Sequence, residues 1–250
     1  MKRKRIKAAV CAAVMAFTLF GSLCPVDYHF MRETSVTASA EAAIWDGTED
    51  TAWYYREHDV IVSENGERIA IFNIRTAEEL AGLAKLVRNG NNMKNTMINL
   101  VSDVTLNDTT NFDNWDEQPP ANNWTAIGAV PIEAPNVNVV MTIQPECRNT
   151  VFAGMFNGNG HTISGMYSLH HNYAGLFART SGIITNVIVK DSYIQCINTQ
   201  KVESGDTALW EACAGGITAI CDRGVISHCE FDGKIFASGL NQVGYGTHGS

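Results

Sequence analysis

The stretch Phe152–Met166 reads FAGMFNGNGHTISGM, and two later stretches echo it, YAGLFARTSGIITNVIVKDSYI from Tyr173 and CAGGITAICDRGVISHCEFDGKIFA from Cys213. Aligning Ile163-Ser-Gly-Met166 on Ile184-Thr-Asn-Val187 gives an offset of 21, and Ile184 on Ile226-Ser-His-Cys229 gives 42. Ala174-Gly-Leu-Phe177 aligns on Ala214-Gly-Gly-Ile217 at an offset of 40. A period near 20 residues with glycine at the corners is the mark of stacked β-rungs, none of which buries its own apolar face. The expected fold is therefore all-β, a right-handed parallel β-helix, with a β-sandwich of similar short strands as the alternative. On this reading Ile163, Ile184 and Ile226 share one column. Val187 and Val189 point inward beside Cys229 and Phe231, and Gly158, Gly160, Gly175, Gly182 and Gly224 supply positive φ angles at corners.

Upstream, Val60–Val62 and Ile69–Ile74 flank Asn65-Gly66, the pattern of a β-hairpin. Thr76 with Glu79 three residues on is a capping-box pattern. Leu80, Leu83, Ala84 and Val87 then form a single apolar stripe, and Asn89-Gly90 gives a left-handed stop. This one helix, Thr76–Asn89, is expected to cap the first rung. Met97–Leu106 alternates as a strand, and two irregular stretches follow, Asn107–Asn123 and Pro131–Arg148, the latter with a strand expected at Val137–Ile143. Gln195–Glu211 reads as a bulge from a corner, and Asn241-Gln-Val-Gly244 as the start of another rung. Loops that project from a rigid scaffold are the usual seat of specific function.

The N-terminus sets an expectation of place. Lys2, Arg3, Lys4, Arg5 and Lys7 precede an uncharged apolar run from Ala8 to Leu23, shorter than the roughly 20 residues that span a bilayer. Ala38 and Ala40 form an A-x-A signal, so residues 1–40 read as a secretory signal peptide cut before Glu41. Cys24 does not mark a lipoprotein, since Gly21, Ser22 and Leu23 lack lipobox order. The leader holds six of the 18 Lys plus Arg and two of the 26 Asp plus Glu, leaving 12 against 24, a net of −12. Such a surface disfavours nucleic acid and anionic lipid and suits solubility outside a cell. The remaining segments read as 41–75, a hairpin and extended segment; 76–150, the capping helix and irregular rungs; and 151–250, the repeats. Five cysteines stay after the leader, Cys147, Cys196, Cys213, Cys221 and Cys229, mostly as small buried side chains, with one bridge among the last three possible.

The ordered run TAEELAGLAKLVRNG, INLVSDVTL, WTAIG and FAGMFNGNGHTISGM resembles the opening of secreted bacterial proteins that carry the GLUG motif. AGLFA at Ala174–Ala178 and AGGITA at Ala214–Ala219 are similar to the motif itself, and WDGTEDTAWY at Trp45–Tyr54 to the segment that precedes it. The sequence departs at Ala178 and Ala219, where the motif usually ends in Gly, and in the Asn107–Asn123 insertion. The resemblance implies a β-helical region of a cell-surface protein, and it transfers no catalytic residue.

Direct signs of chemistry are weak. The histidines show no H-E-x-x-H spacing. His170-His171 reads as a turn whose neighbours face opposite ways, and His161, within Gly160-His161, as a corner residue bonding backbone. Paired carboxylates for glycan hydrolysis are sought about 5–10 Å apart. The rung-borne candidates Asp191, Asp222 and Asp232 each fall where a solvated turn is expected. Asp108, Asp113 and Asp116 give a weak Ca²⁺ candidate without EF-hand spacing. Trp115 could stack on sugars, whereas Trp124 starts a strand and reads as core. The function expected is a non-catalytic extracellular or cell-surface scaffold of adhesin type, presenting loops to a glycan or protein of host or environment without membrane insertion. The alternative is an accessory module of a secreted glycan- or protein-cleaving enzyme, or a degenerate form of one.

Overall fold

A computed structural model describes residues 43–129, 150–198 and 212–239. These belong to one compact unit, Ala40–Ser250. The leader, Cys147, the strand expected at Val137–Ile143, most of the bulge after Gln195 and the rung expected from Asn241 lie outside the described residues.

The chain is strand-rich, as the all-β expectation requires. It opens with the antiparallel hairpin β1 (Asp59–Val62) and β2 (Arg68–Ile74), turning through Asn65-Gly66 with Gly66 at φ +85°. Helix α1 (Ala77–Arg88) follows, then β3 (Thr96–Leu100) and β4 (Val104–Thr105). Beyond residue 150 come β5 (Met155–Asn157), β6 (Thr162–Ser164), β7 (Tyr167–His170), β8 (Tyr173–Ala174), β9 (Phe177–Thr180), β10 (Ile183–Thr185) and the long β11 (Ile188–Asn198). The last described strands are β12 (Cys213–Ala214), β13 (Thr218–Cys221), β14 (Val225–Ser227) and β15 (Glu230–Gly239).

Apart from β1 with β2, every pairing among the described strands is parallel. One sheet runs β1-β2-β3-β5-β10-β14 and a second β15-β11-β6-β4, with β7 also beside β11; β12-β8 and β13-β9 are two-stranded. Parallel sheets are unlike the antiparallel layers of a sandwich. Their register sets two apolar columns, buried except toward their last strands. Phe72, Ile98, Phe156, Ile184 and Ile226 stand in line in the first sheet, and Val104, Ile163, Val189 and Phe231 in the second.

This corrects the alignment of Ile163 on Ile184. The two residues occupy different sheets, and the partner of Ile184 on the preceding strand of its own sheet is Phe156. The offset between Ile184 and Ile226 is a single step between directly paired strands, not two rungs. The pairing of Ala174 with Ala214, and of Val189 with Phe231, is as expected, but Phe177 pairs with Thr218 and not with Ile217.

The glycine reading also changes. Gly160 and Gly175 have positive φ, at +77° and +154°. Gly158, Gly182 and Gly224 do not need one; a Cβ on them would stand 2.3, 2.0 and 2.6 Å from the backbone oxygens of Asn186, Gly154 and Gly182. They are small because two backbones meet there. Left-handed corners fall instead to Asn186 and His228 (φ +53° each), at the equivalent positions after β10 and β14.

Helix α1 buries Leu80, Leu83, Ala84 and Val87, with Glu79 N–H bonding Thr76 Oγ1 at 3.2 Å. The Glu79 carboxylate reaches one residue beyond the capping box, to Arg75 N at 2.7 Å, and pairs with Arg56 at 3.1 Å. The helix connects parallel neighbours β2 and β3 and packs in the core with Trp45 and Trp53. Edge protection, expected of the helix, is given to the first sheet by antiparallel β1. In the second sheet Ile44 bridges the outer strand at Thr105.

Candidate functional site: the clamped insertion over an aromatic column

The insertion between β4 and the bridge at Ile127 is closed at its neck by two asparagines. Asn107, 3% exposed, donates from Nδ2 to Asn122 O and Gly165 O, both at 2.9 Å, and accepts Asn122 N–H at 3.0 Å. Asn122 in turn donates to Trp45 O and Leu106 O. Each amide therefore replaces the backbone partners that an excursion from a sheet forfeits.

Within the loop a short 3₁₀ turn, Phe112–Asn114, drives Phe112 and Trp115 onto the sheet beneath. Trp115 is 2% exposed and meets Tyr167 edge-on at 6.1 Å. Tyr167 stacks on Tyr193 at 5.6 Å, its register partner on β11, and Tyr193 leans on Phe236 of β15 at 5.3 Å. Lys234 closes the clamp, lying 5.1 Å over the Phe112 ring and donating to Asp113 O at 2.9 Å. Burial raises the hydroxyl pKa of both tyrosines, with the charge of Asp116 adding to the effect at Tyr193.

Trp115 is thus a buried clamp rather than an exposed sugar platform, while Trp124 is core at 2% exposure, as expected. The three carboxylates proposed for calcium do not converge. Asp108 Oδ1 accepts Thr110 N–H at 2.9 Å, a bond that lowers its pKa, and Asp113 faces Lys234. Among the described residues no group of three His, Cys, Asp or Glu side chains could hold a metal ion.

The other candidates are scattered. His161 bonds the Asp103 carboxylate at 3.1 Å, not backbone as expected, and so ties two neighbouring strands together. His170 is buried and its Nδ1 takes Asn172 N–H, while exposed His171 faces Ile197 O, in keeping with opposite faces. Asp191 is not in a turn but inside β11, at φ +46° where the register with β15 shifts, and Asp232 is on β15. Asp222 pairs with Arg179 at 3.4 Å. A cavity of about 140 Å³ beside Trp45, Glu49 and Trp124 falls below the roughly 300–1,000 Å³ usual for ligand pockets.

Among the described residues no disulfide joins Cys196, Cys213, Cys221 or Cys229, so the bridge considered among the last three is not found there. Burial pushes the Cys196 thiol up to about 11. Alkylation of the folded chain at pH 8 is expected to label exposed Cys221 rapidly and to spare Cys196, as read by peptide mass spectrometry. The linkage has a definite sign: an unfolded thiol ionises near 9 and the folded one only near 11. Stability present below pH 9 is therefore lost as pH rises toward 11. Equal labelling rates at the two sites would contradict the burial of Cys196.

Sequence reasoning missed a side-chain ladder. Asn99 donates to Asn73 at 3.1 Å, Asn157 to Asn99 at 3.5 Å and Asn186 to Asn157 at 3.0 Å. Asparagine at 73, 99 and 157 is legible in the sequence, but only the register reveals that they adjoin.

No family model, curated protein or solved structure matches the chain.

Proposed function

We propose that the chain is an exported, non-catalytic surface module of adhesin type, a right-handed parallel β-helix of the GLUG-motif kind whose Asn107–Asn123 insertion is the recognition element. One observation carries this reading: the insertion is held at fixed geometry by Trp115 on the Tyr167–Tyr193 column and by its Asn107–Asn122 neck. A loop whose conformation is set beforehand loses little entropy on meeting a partner, which is how a scaffold turns a loop into a binding surface. Support for the coil comes from the parallel register of two apolar columns, each continuing from strand to strand. Support for export comes from the basic and apolar leader with its A-x-A signal. The acidic balance of the remainder fits an extracellular place and a glycan or protein partner.

Two measurements test the proposal. Expression in a bacterial host followed by fractionation and N-terminal sequencing is expected to find Glu41 as the first residue outside the cytoplasm; retention of an intact leader in the cell would defeat export. A glycan and protein array, run with and without Ca²⁺, is expected to give a signal that Trp115→Ala weakens at least tenfold while proteinase K cuts the freed loop faster. An unchanged array signal with a released loop would remove the insertion from recognition. Release of reducing ends from polysaccharides would overturn the non-catalytic reading.

A further inference from the structure

The register that aligns the buried column also aligns its outward neighbours. Ile71, Met97, Met155, Ile183 and Val225 hold successive register positions on β2, β3, β5, β10 and β14. Phe72, Ile98, Phe156 and Ile184, next in sequence to the first four, are buried. Alternation along a strand therefore turns the first set to the outer face. Four of these side chains are half-buried and Val225 is 45% exposed. Two residues further along each strand stand Asn73, Asn99, Asn157, Thr185 and Ser227, also in register. Ser227 donates to Thr185 at 3.1 Å, continuing the asparagine ladder in hydroxyls.

One face thus carries an apolar stripe beside an amide and hydroxyl stripe. Neither holds an ionisable side chain, although the chain as a whole has a net charge of −8. Strands about 4.8 Å apart make the track roughly 19 Å long, and a two-residue step separates the stripes by about 7 Å. Its area is on the order of 250 Å², against the roughly 800 Å² per partner of a stable protein interface. A second protein finds too little to bury here, and a polyanion finds no cation on either stripe. An extended polymer with alternating C–H and hydroxyl surfaces fits both stripes at once.

We infer that the outer face of this sheet is a docking track for a neutral, extended glycan, which lies across the strands with C–H faces on Ile71, Met97, Met155 and Ile183 and hydroxyls on the asparagine ladder. The site is separate from the clamped insertion. The test is co-sedimentation of the whole chain with insoluble neutral polysaccharides (cellulose, chitin, β-glucan, mannan), beside a phosphorylated polymer. At least one neutral polysaccharide is expected to retain the chain, and Met97→Asp/Ile183→Asp is expected to cut retention at least tenfold with an unchanged circular dichroism spectrum. Should the double variant fail to fold, Val225→Asp, on the most exposed strand of the track, is expected to cut it at least threefold. Retention by no neutral polysaccharide, retention that survives the folded variants, or preference for the phosphorylated polymer would overturn the inference. Loss caused only by Trp115→Ala would also overturn it, while leaving the insertion as the recognition element. A dimer in sedimentation velocity that Met97→Asp dissolves would overturn it in favour of a second copy.

Discussion

Replacing Gly182 by alanine is expected to lower the thermal midpoint by roughly 10 °C, from a destabilisation of about 3 kcal/mol. The added Cβ would stand 2.0 Å from Gly154 O and 2.9 Å from Ala153 C, both backbone atoms of the segment that leads into β5. No rotamer relieves such a contact; the strands themselves must part. Gly224 repeats the arrangement one step on, where a Cβ would meet Gly182 O at 2.6 Å. Gly160→Ala is the matched control, because Gly160 has φ +77° but open space around its Cα. It is expected to lose only about 1 kcal/mol, the conformational cost of a side chain at positive φ. Melting curves followed by circular dichroism separate the two, and equal losses would remove close packing as the reason for glycine at 182.

The second large effect is expected at Phe156→Ala, about 4 kcal/mol and roughly 12 °C. Phe156 is fully buried between Ile98 and Ile184 in the first column and meets the Phe177 ring at 5.5 Å. Truncation leaves a void with packed neighbours above, below and across, so the site cannot collapse. Ile226→Ala, in the same column but 39% exposed, is expected to cost under half as much, since less transfer free energy is at stake. A chemical denaturation series on both variants checks the ratio. Similar costs would mean that the column is not a continuous core.

Periodicity and turn chemistry make several elements legible. Asn65-Gly66 marks the hairpin, Thr76 and the Leu80–Val87 stripe mark the helix, and Ala174 on Ala214 is a true register. The misalignment of Ile163 has a physical cause. Strands of the two sheets carry the same apolar alternation, so Ile163-Ser-Gly and Ile184-Thr-Asn look alike without being neighbours. Trp115 is misread because a tryptophan within a polar loop gives no sign that the loop folds back; its partners Tyr167 and Tyr193 lie far along the chain, beyond residue 150. The glycines are recognisable but fall to turns on a sequence reading, because sequence does not distinguish a positive φ from a close backbone crossing. The asparagine ladder is invisible for the reason the columns are hard to place: it depends on register alone.

The steps along the first column are unequal. Ile98, Phe156, Ile184 and Ile226 are successive members, yet the interval from Phe156 to Ile184 is about half that from Ile98 to Phe156, and the last interval falls between the two. Position is therefore kept by which side chains can nest, not by how much chain intervenes. Closing a longer arc costs only about 0.6 kcal/mol for each doubling of its length. Such a chain can gain or lose whole excursions between one strand and its partner while the register stays in place, so its inheritable variation is free to concentrate in the arcs.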